Sequence, residues 1–208
     1  MDINFIPSVF FTLFFVVDPL GLIPIFITCL SPYSIKKQRA IIFKATGIAA
    51  SVSIFFILFG NKLLNFLGVT SASFLIAGGI LLFLISIDML FARPSRTKIP
   101  KEDYSSADNG DVAVFPLAIP MLCGPGNIAA LLMFSSQVGG KPEMLIIIII
   151  ISVVIFFLTA VVMFFSVYLE RFLGEGGLSV IQRIMGLILS ALAVQFFING
   201  LHQLGFVK

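Results

Sequence analysis

Two short runs of the sequence combine a proline with residues that could bind a charged ligand. In each run a residue that favours the helix N-cap position precedes a proline, which suits the first helical turn. Each run therefore predicts the start of a helix, whose unpaired N–H groups and partial positive charge can bind an anion. The candidate substrate-binding residues are Asp18, Pro19, Gly21, Gly124, Pro125, Gly126 and Asn127.

The two predicted helix starts could hold the two charged groups of a small zwitterion. If the N-termini converge, their N–H groups would bind a carboxylate, and Asp18 could face an ammonium group. Asp18 also has a simpler interpretation as an N-cap, and the two alternatives remain open. The Asn127 amide could likewise bind the ligand or only occupy space.

The rest of the chain is strongly apolar. Of its 208 residues 59% are hydrophobic and 11% are charged, which is too few charges for a soluble surface. A membrane-spanning helix needs about 20 apolar residues. Six segments with at most one charged residue each meet or approach this length: 3–30, 41–61, 63–87, 112–140, 144–169 and 184–201. We therefore predict an all-α bundle of six transmembrane spans surrounded by lipid.

The two halves of the chain resemble each other at an offset of 106 residues. Pro19 corresponds to Pro125, and the run Phe66–Gly68 recurs as Phe172–Gly174. Because each half would cross the membrane three times, the second must be inverted relative to the first, as in many secondary transporters. The predicted organisation is a first three-span repeat at 1–91, a cytoplasmic linker at 92–111 and a second repeat at 112–208.

Proline placement supports a special role for two of the six segments. Six of the ten prolines lie in segments 3–30 and 112–140. A proline removes a helical hydrogen bond, and in lipid the freed carbonyl needs another partner. The segments could be merely kinked, but their matching positions in the repeat favour two discontinuous helices that meet near the membrane midplane.

The basic residues predict the orientation, because cytoplasmic loops are enriched in lysine and arginine. With the N-terminus outside, ten of the 13 basic residues fall on the cytoplasmic side and three on the other. The three are Lys62, Lys141 and Lys208. We therefore predict that both termini lie outside the cytoplasm and that the charge reflects topology, with no nucleic-acid partner.

The sequence resembles the MarC family, whose members are also described as neutral amino acid transporters. The matching stretches are Asp18–Pro24, Ala77–Leu82, Pro116–Pro120, Gly124–Gly126, and Gly186 with Gln195 and Gly200. The resemblance implies six spans, a bacterial or archaeal inner membrane, and transport of a small neutral amino acid such as glycine or alanine. Family members usually carry a small residue after Gly-Pro-Gly, where this chain has Asn127.

Other functions lack the residues they need. The chain has one histidine, no Cys/His cluster and no phosphate-binding Gly-Lys-Ser/Thr loop, so we predict no enzyme activity, no cofactor and no metal site. Cys29 and Cys123 are interpreted as buried apolar residues and not as a disulfide. A channel and a non-transporting membrane partner remain alternatives. Import or export, a proton or sodium ion as coupling ion, and homo-oligomer formation are left open.

Overall fold

The computed structural model describes residues 4–91 and 111–206, except for the side chain of Glu175. The predicted linker at 92–111 lies outside this range apart from Asp111. Every regular element in the described residues is a helix. We number the helices α1 (Phe5–Val17), α2 (Ile23–Leu30), α3 (Ile35–Phe66), α4 (Ser71–Leu90), α5 (Ala113–Leu122), α6 (Pro125–Gln137), α7 (Pro142–Gly174) and α8 (Gly176–Gln203).

Four helices are long and apolar enough to cross a membrane: α3, α4, α7 and α8. A fifth candidate is the pair α5 and α6, which meet at a 53° bend. The predicted six spans are therefore not all present as single helices, because the segment at 3–30 divides into α1 and the eight-residue α2. The segment predicted at 63–87 is also shifted, since α3 continues to Phe66 and α4 begins at Ser71.

The helix boundaries follow local sequence signals. Thr70 caps α4, because its side chain accepts a hydrogen bond of 3.1 Å from the Ser73 N–H. Pro142 occupies the first turn of α7, where no hydrogen bond within the helix requires the N–H that proline lacks. Gly68 follows the end of α3 and Gly174 interrupts the run before α8, with φ values of 69° and 65° that glycine adopts without strain.

The α5 helix is irregular because of its two prolines. Phe115 and Ile119 have extended backbone angles, near φ −130° and ψ 126°, inside an otherwise helical segment. Each of them directly precedes a proline, which disfavours the helical conformation of the residue before it. The proline-broken character predicted for segment 112–140 is confirmed in α5.

The helices α4 and α8 pack antiparallel through glycines. A β-carbon added at Gly79 would lie 2.8 Å from the Ala193 carbonyl oxygen and 3.1 Å from the Phe197 nitrogen. A β-carbon at Gly186 would meet the equivalent atoms of α4, with the Ser86 oxygen at 3.1 Å and the Leu90 nitrogen at 3.2 Å. Each contact has a counterpart 107 residues away, in the pairs Gly79/Gly186, Ser86/Ala193, Met89/Phe196 and Leu90/Phe197.

The helices α3 and α7 share a burial pattern at the offset of 106 residues. Of the nine buried residues of α3, seven correspond to a buried residue of α7. The pairs are Ile42/Ile148, Ala45/Ile151, Thr46/Ser152, Ala49/Ile155, Ser53/Thr159, Ile57/Met163 and Gly60/Ser166. In two of these pairs, a hydroxyl side chain lies on the buried, otherwise apolar face of each helix.

The contacts between helices define two ends of the bundle. At one end Lys44 of α3 forms an ion pair with Asp111, and Phe43 packs against Phe164 of α7. At the opposite end Asn61 of α3 bonds to Ser135 of α6. The burial predicted for Cys29 and Cys123 is confirmed.

Candidate functional site

Asp18 lies at the first break, but it does not start a new helix as predicted. It caps the C-terminus of α1 in the left-handed conformation, with φ 51° and ψ 57°, and its N–H donates to the Phe14 carbonyl oxygen. The next helix begins only at Ile23. The prediction that Asp18 begins a helix is therefore wrong, although its side chain accepts a hydrogen bond from the Gly21 N–H of the next turn, as a capping residue does. Its short polar side chain instead suits the left-handed region at a helix C-terminus, which Asp tolerates better than most residues.

The Asp18 carboxylate is buried and only half satisfied. The side chain is 4% exposed. Its Oδ1 accepts a hydrogen bond of 3.1 Å from the Gly21 N–H, which closes the turn after α1. Its Oδ2 is buried with no hydrogen-bond partner among the described residues. Because a buried carboxylate without a partner costs several kcal/mol, this oxygen is suited to bind a donor or a cation.

The second break has the local geometry that the sequence predicts. Gly124 is the N-cap residue of α6 in an extended conformation, with φ −87° and ψ 175°, and Pro125 begins the helix. The missing side chain of Gly124 is also needed for packing, since a β-carbon there would lie 2.5 Å from the Pro120 carbonyl oxygen. The prediction of a helix start at Gly124–Pro125 is confirmed.

Asn127 belongs to a buried polar cluster beside the second break. Its amide donates to the Ser53 hydroxyl of α3 at 3.1 Å and to the Cys123 sulfur at 3.7 Å. The Ser53 oxygen lies 3.4 Å from the same sulfur. The sequence does not predict Ser53 and Cys123 as site residues, although Ser53 is a hydroxyl residue within an apolar run. The cluster connects the break to the middle of α3.

Both breaks lie against α4. A β-carbon at Gly21 would collide with the Asp18 carboxylate and with the Met89 side chain, and one at Gly126 would collide with Leu82. Gly78 makes a similarly close approach to Ala129 of α6. Met89 and Leu82 are seven residues apart, which corresponds to about 10 Å along the α4 axis. Gly126 thus has a packing role that the sequence does not reveal.

This packing predicts the effect of enlarging Gly126. The change Gly126→Leu should destabilise the protein by about 1–3 kcal/mol, because it forces a second large side chain into the space of Leu82. The added change Leu82→Ala should recover part of the loss. The melting temperature can be followed with a thiol-reactive dye, since Cys29 and Cys123 are buried until the protein unfolds. No rescue by Leu82→Ala would contradict this packing role.

The sequence leaves two interpretations for Gln195 and Asn199, which could line a pathway or form hydrogen bonds to neighbouring helices. In the structure their side chains contact each other in α8. Gln195 donates to the Asn199 side-chain oxygen at 2.8 Å, and the Asn199 amide lies 3.6 Å from the Met133 sulfur of α6. Asn199 therefore connects α8 to α6, away from both breaks. The described residues contain no group of three or more His, Cys, Asp or Glu side chains that could hold a metal ion.

Long apolar helices, broken helices and polar groups buried at the breaks define a polytopic integral membrane protein. Comparison with known proteins identifies the class more closely. A family model described as MarC family integral membrane protein matches residues 3–204. The chain belongs to the MarC family.

Membrane proteins from several organisms are similar to this chain over nearly its full length. A membrane protein of Methanocaldococcus jannaschii is 36% identical over 97% of this chain and 98% of its own. One of Archaeoglobus fulgidus is 34% identical over 97% and 94%. The inner membrane protein YhgN of Escherichia coli is 35% identical over 96% and 98%. No solved structure matches the chain.

Proposed function

We propose that the protein is a secondary transporter of small neutral amino acids, such as glycine or alanine, across the inner membrane. The observation that carries the proposal is the buried Asp18 Oδ2, which has no partner in the described residues. A transporter needs a binding group at membrane depth that is left free for its substrate or coupling ion. The substrate ammonium group, a sodium ion or a proton would each satisfy this oxygen.

We include six membrane crossings in the proposal, with the pairs α1–α2 and α5–α6 as broken spans. Phe5 of α1 packs against Phe134 near the end of α6, beside the Asn61–Ser135 hydrogen bond. The start of α3 belongs to the opposite end, where Lys44 contacts Asp111. Residues 5–35 would therefore cross from one end of the bundle to the other, and residues 111–137 would do the same.

The proposal also includes the inverted repeat. Three observations support it: the paired contacts of Gly79 and Gly186, the shared burial pattern of α3 and α7, and the left-handed glycines Gly68 and Gly174. A two-fold relation between α4 and α8 would account for their antiparallel packing. In inverted-repeat transporters one such unit rocks against the other around a central site.

Asp18 with Gly21, and the start of α6 at Gly124 with Asn127, form the two poles of the proposed substrate site. The N–H groups in the first turn of α6, which have no partner within the helix, favour a carboxylate, and the Asp18 oxygen favours an ammonium group. Pro19 and Pro125 would hold the two breaks in place because their rings fix the backbone.

Transport into liposomes tests this function. Purified protein should accumulate labelled glycine or alanine when a proton or sodium gradient is imposed, and preloaded unlabelled substrate should give counterflow. A channel would carry flux without counterflow. If no member of a panel of neutral amino acids enters above the rate of empty liposomes, the proposed function is wrong.

The proposed orientation places both termini outside the cytoplasm. Its support is the distribution of basic residues, together with the contact of Lys44 with Asp111 beside the predicted cytoplasmic linker. A cysteine at Ser106, in a variant without Cys29 and Cys123, should be protected from an impermeant thiol reagent added to intact cells. Labelling before the cells are lysed would reverse the orientation.

A further inference from the structure

The two breaks differ in the residue that stands two positions after the shared proline. Asn127 follows Pro125 in the second break, and Gly21 follows Pro19 in the first. The Asn127 amide fills the gap between its break and α3 by donating to Ser53. At Gly21 the corresponding space is taken by the Asp18 carboxylate, which a β-carbon on Gly21 would strike. A donor in one break is thus matched by an acceptor in the other.

Thr159 of α7 is the counterpart of Ser53 of α3. Both residues are fully buried, and they form one pair in the shared burial pattern. The helices α1 and α2 both pack against residues 142–203, which comprise α7 with Thr159 and also α8, and the helices α5 and α6 both pack against α3. If the halves correspond, Thr159 faces the Asp18 break as Ser53 faces the Asn127 break.

We propose that Asp18 and Thr159 together bind a small monovalent cation, either the ammonium group of a substrate or a sodium ion. The inference deepens the proposed transport function and rests on its internal repeat. The Thr159 hydroxyl donates its proton to the Ile155 carbonyl oxygen at 2.8 Å, so only oxygen lone pairs are left for a ligand. An ionised Asp18 Oδ2 is also an acceptor, and if the repeat brings the two oxygens together, they require a donor or cation between them.

The second break needs no such ligand. There the Asn127 amide supplies the donor, and the Ser53 oxygen accepts it. Within the described residues the cation site would therefore occur once, at the first break.

Ligand-dependent melting of the purified full-length protein tests the site. The thiol-reactive dye would report the melting temperature of the protein in choline chloride. The probes added to this buffer are sodium chloride, methylammonium, glycine and alanine. Glycolate, which resembles glycine but has no ammonium group, serves as the control ligand. Thr159→Val should weaken binding of the effective cation by at least about tenfold, the usual effect of losing a hydrogen bond to a charged group. Thr159→Ser keeps the hydroxyl and should bind nearly as well as the wild type.

The change Thr46→Val is the matched control. Thr46 makes the same hydroxyl bond to the carbonyl four residues earlier, but it lies in α3, the helix that contacts the break closed by Asn127. It should not alter cation binding. If sodium raises the melting temperature and choline does not, the site binds an ion. If glycine raises the melting temperature and glycolate does not, the site binds the ammonium group of the substrate. The proposal is overturned if Thr159→Val binds like the wild type, or if no cation probe shifts the wild-type protein. If a cation raises the melting temperature but the protein transports no amino acid, the cation site stands and only the proposed transport function is contradicted.

Discussion

Replacement of Asp18 with Asn should reduce gradient-driven amino acid uptake by about tenfold to a hundredfold, as expected when a bond to a charged group is lost. The structure makes this substitution informative because Asn can keep the local fold. Its side-chain oxygen can accept the Gly21 N–H, and Asn tolerates the left-handed conformation at φ 51°. The melting temperature of Asp18→Asn should therefore change little.

Two further variants separate charge from structure. Asp18→Ala should lose transport and also stability, by about 1–2 kcal/mol, because Ala cannot close the turn and is strained in the left-handed region. Asp88→Asn changes a carboxylate that is only partly buried near the end of α4, outside both breaks, and should transport normally. Wild-type uptake by Asp18→Asn under a proton or sodium gradient would leave Asp18 with a structural role only.

Enlarging either Gly79 or Gly186 should destabilise the protein strongly. A valine at either position would place its β-carbon within about 3 Å of backbone atoms on the partner helix, and backbone cannot move aside as a flexible side chain can. We expect each variant to lose about 1–3 kcal/mol or to fail to fold. The two losses should be similar, because the contacts of the two glycines are equivalent.

The control for this prediction is Gly47→Val. Gly47 also lies within a long helix, α3, but a β-carbon there would meet nothing within 4 Å. Thermal melting in detergent should place Gly47→Val close to the wild type and both other variants well below it. If Gly79→Val or Gly186→Val melts together with Gly47→Val, the close approach of α4 and α8 is not important for stability.

The sequence predicts the class of structure well, because the physical signals for it are local. An apolar run long enough for a bilayer predicts α3, α4, α7 and α8 wherever neighbouring elements lie. The chemistry of Gly124 and Pro125 likewise predicts the start of α6. At Asp18 the same reasoning fails. An Asp before a proline suits a helix N-cap, but it also tolerates the left-handed end of α1, and local sequence does not distinguish the two.

Local patterns in the amino-acid sequence are therefore sufficient to predict a polytopic helical membrane protein of the MarC type, with two proline-containing breaks at an offset of 106 residues. The side chains that contact each break become known only when the packed helices are examined. The Asn127 amide is satisfied by Ser53, 74 residues away, whereas the Asp18 Oδ2 is buried without a partner in the described residues. The reason is physical: hydrogen-bond satisfaction and close glycine contacts depend on which distant helices pack together, and such packing has no signal within a single run of residues.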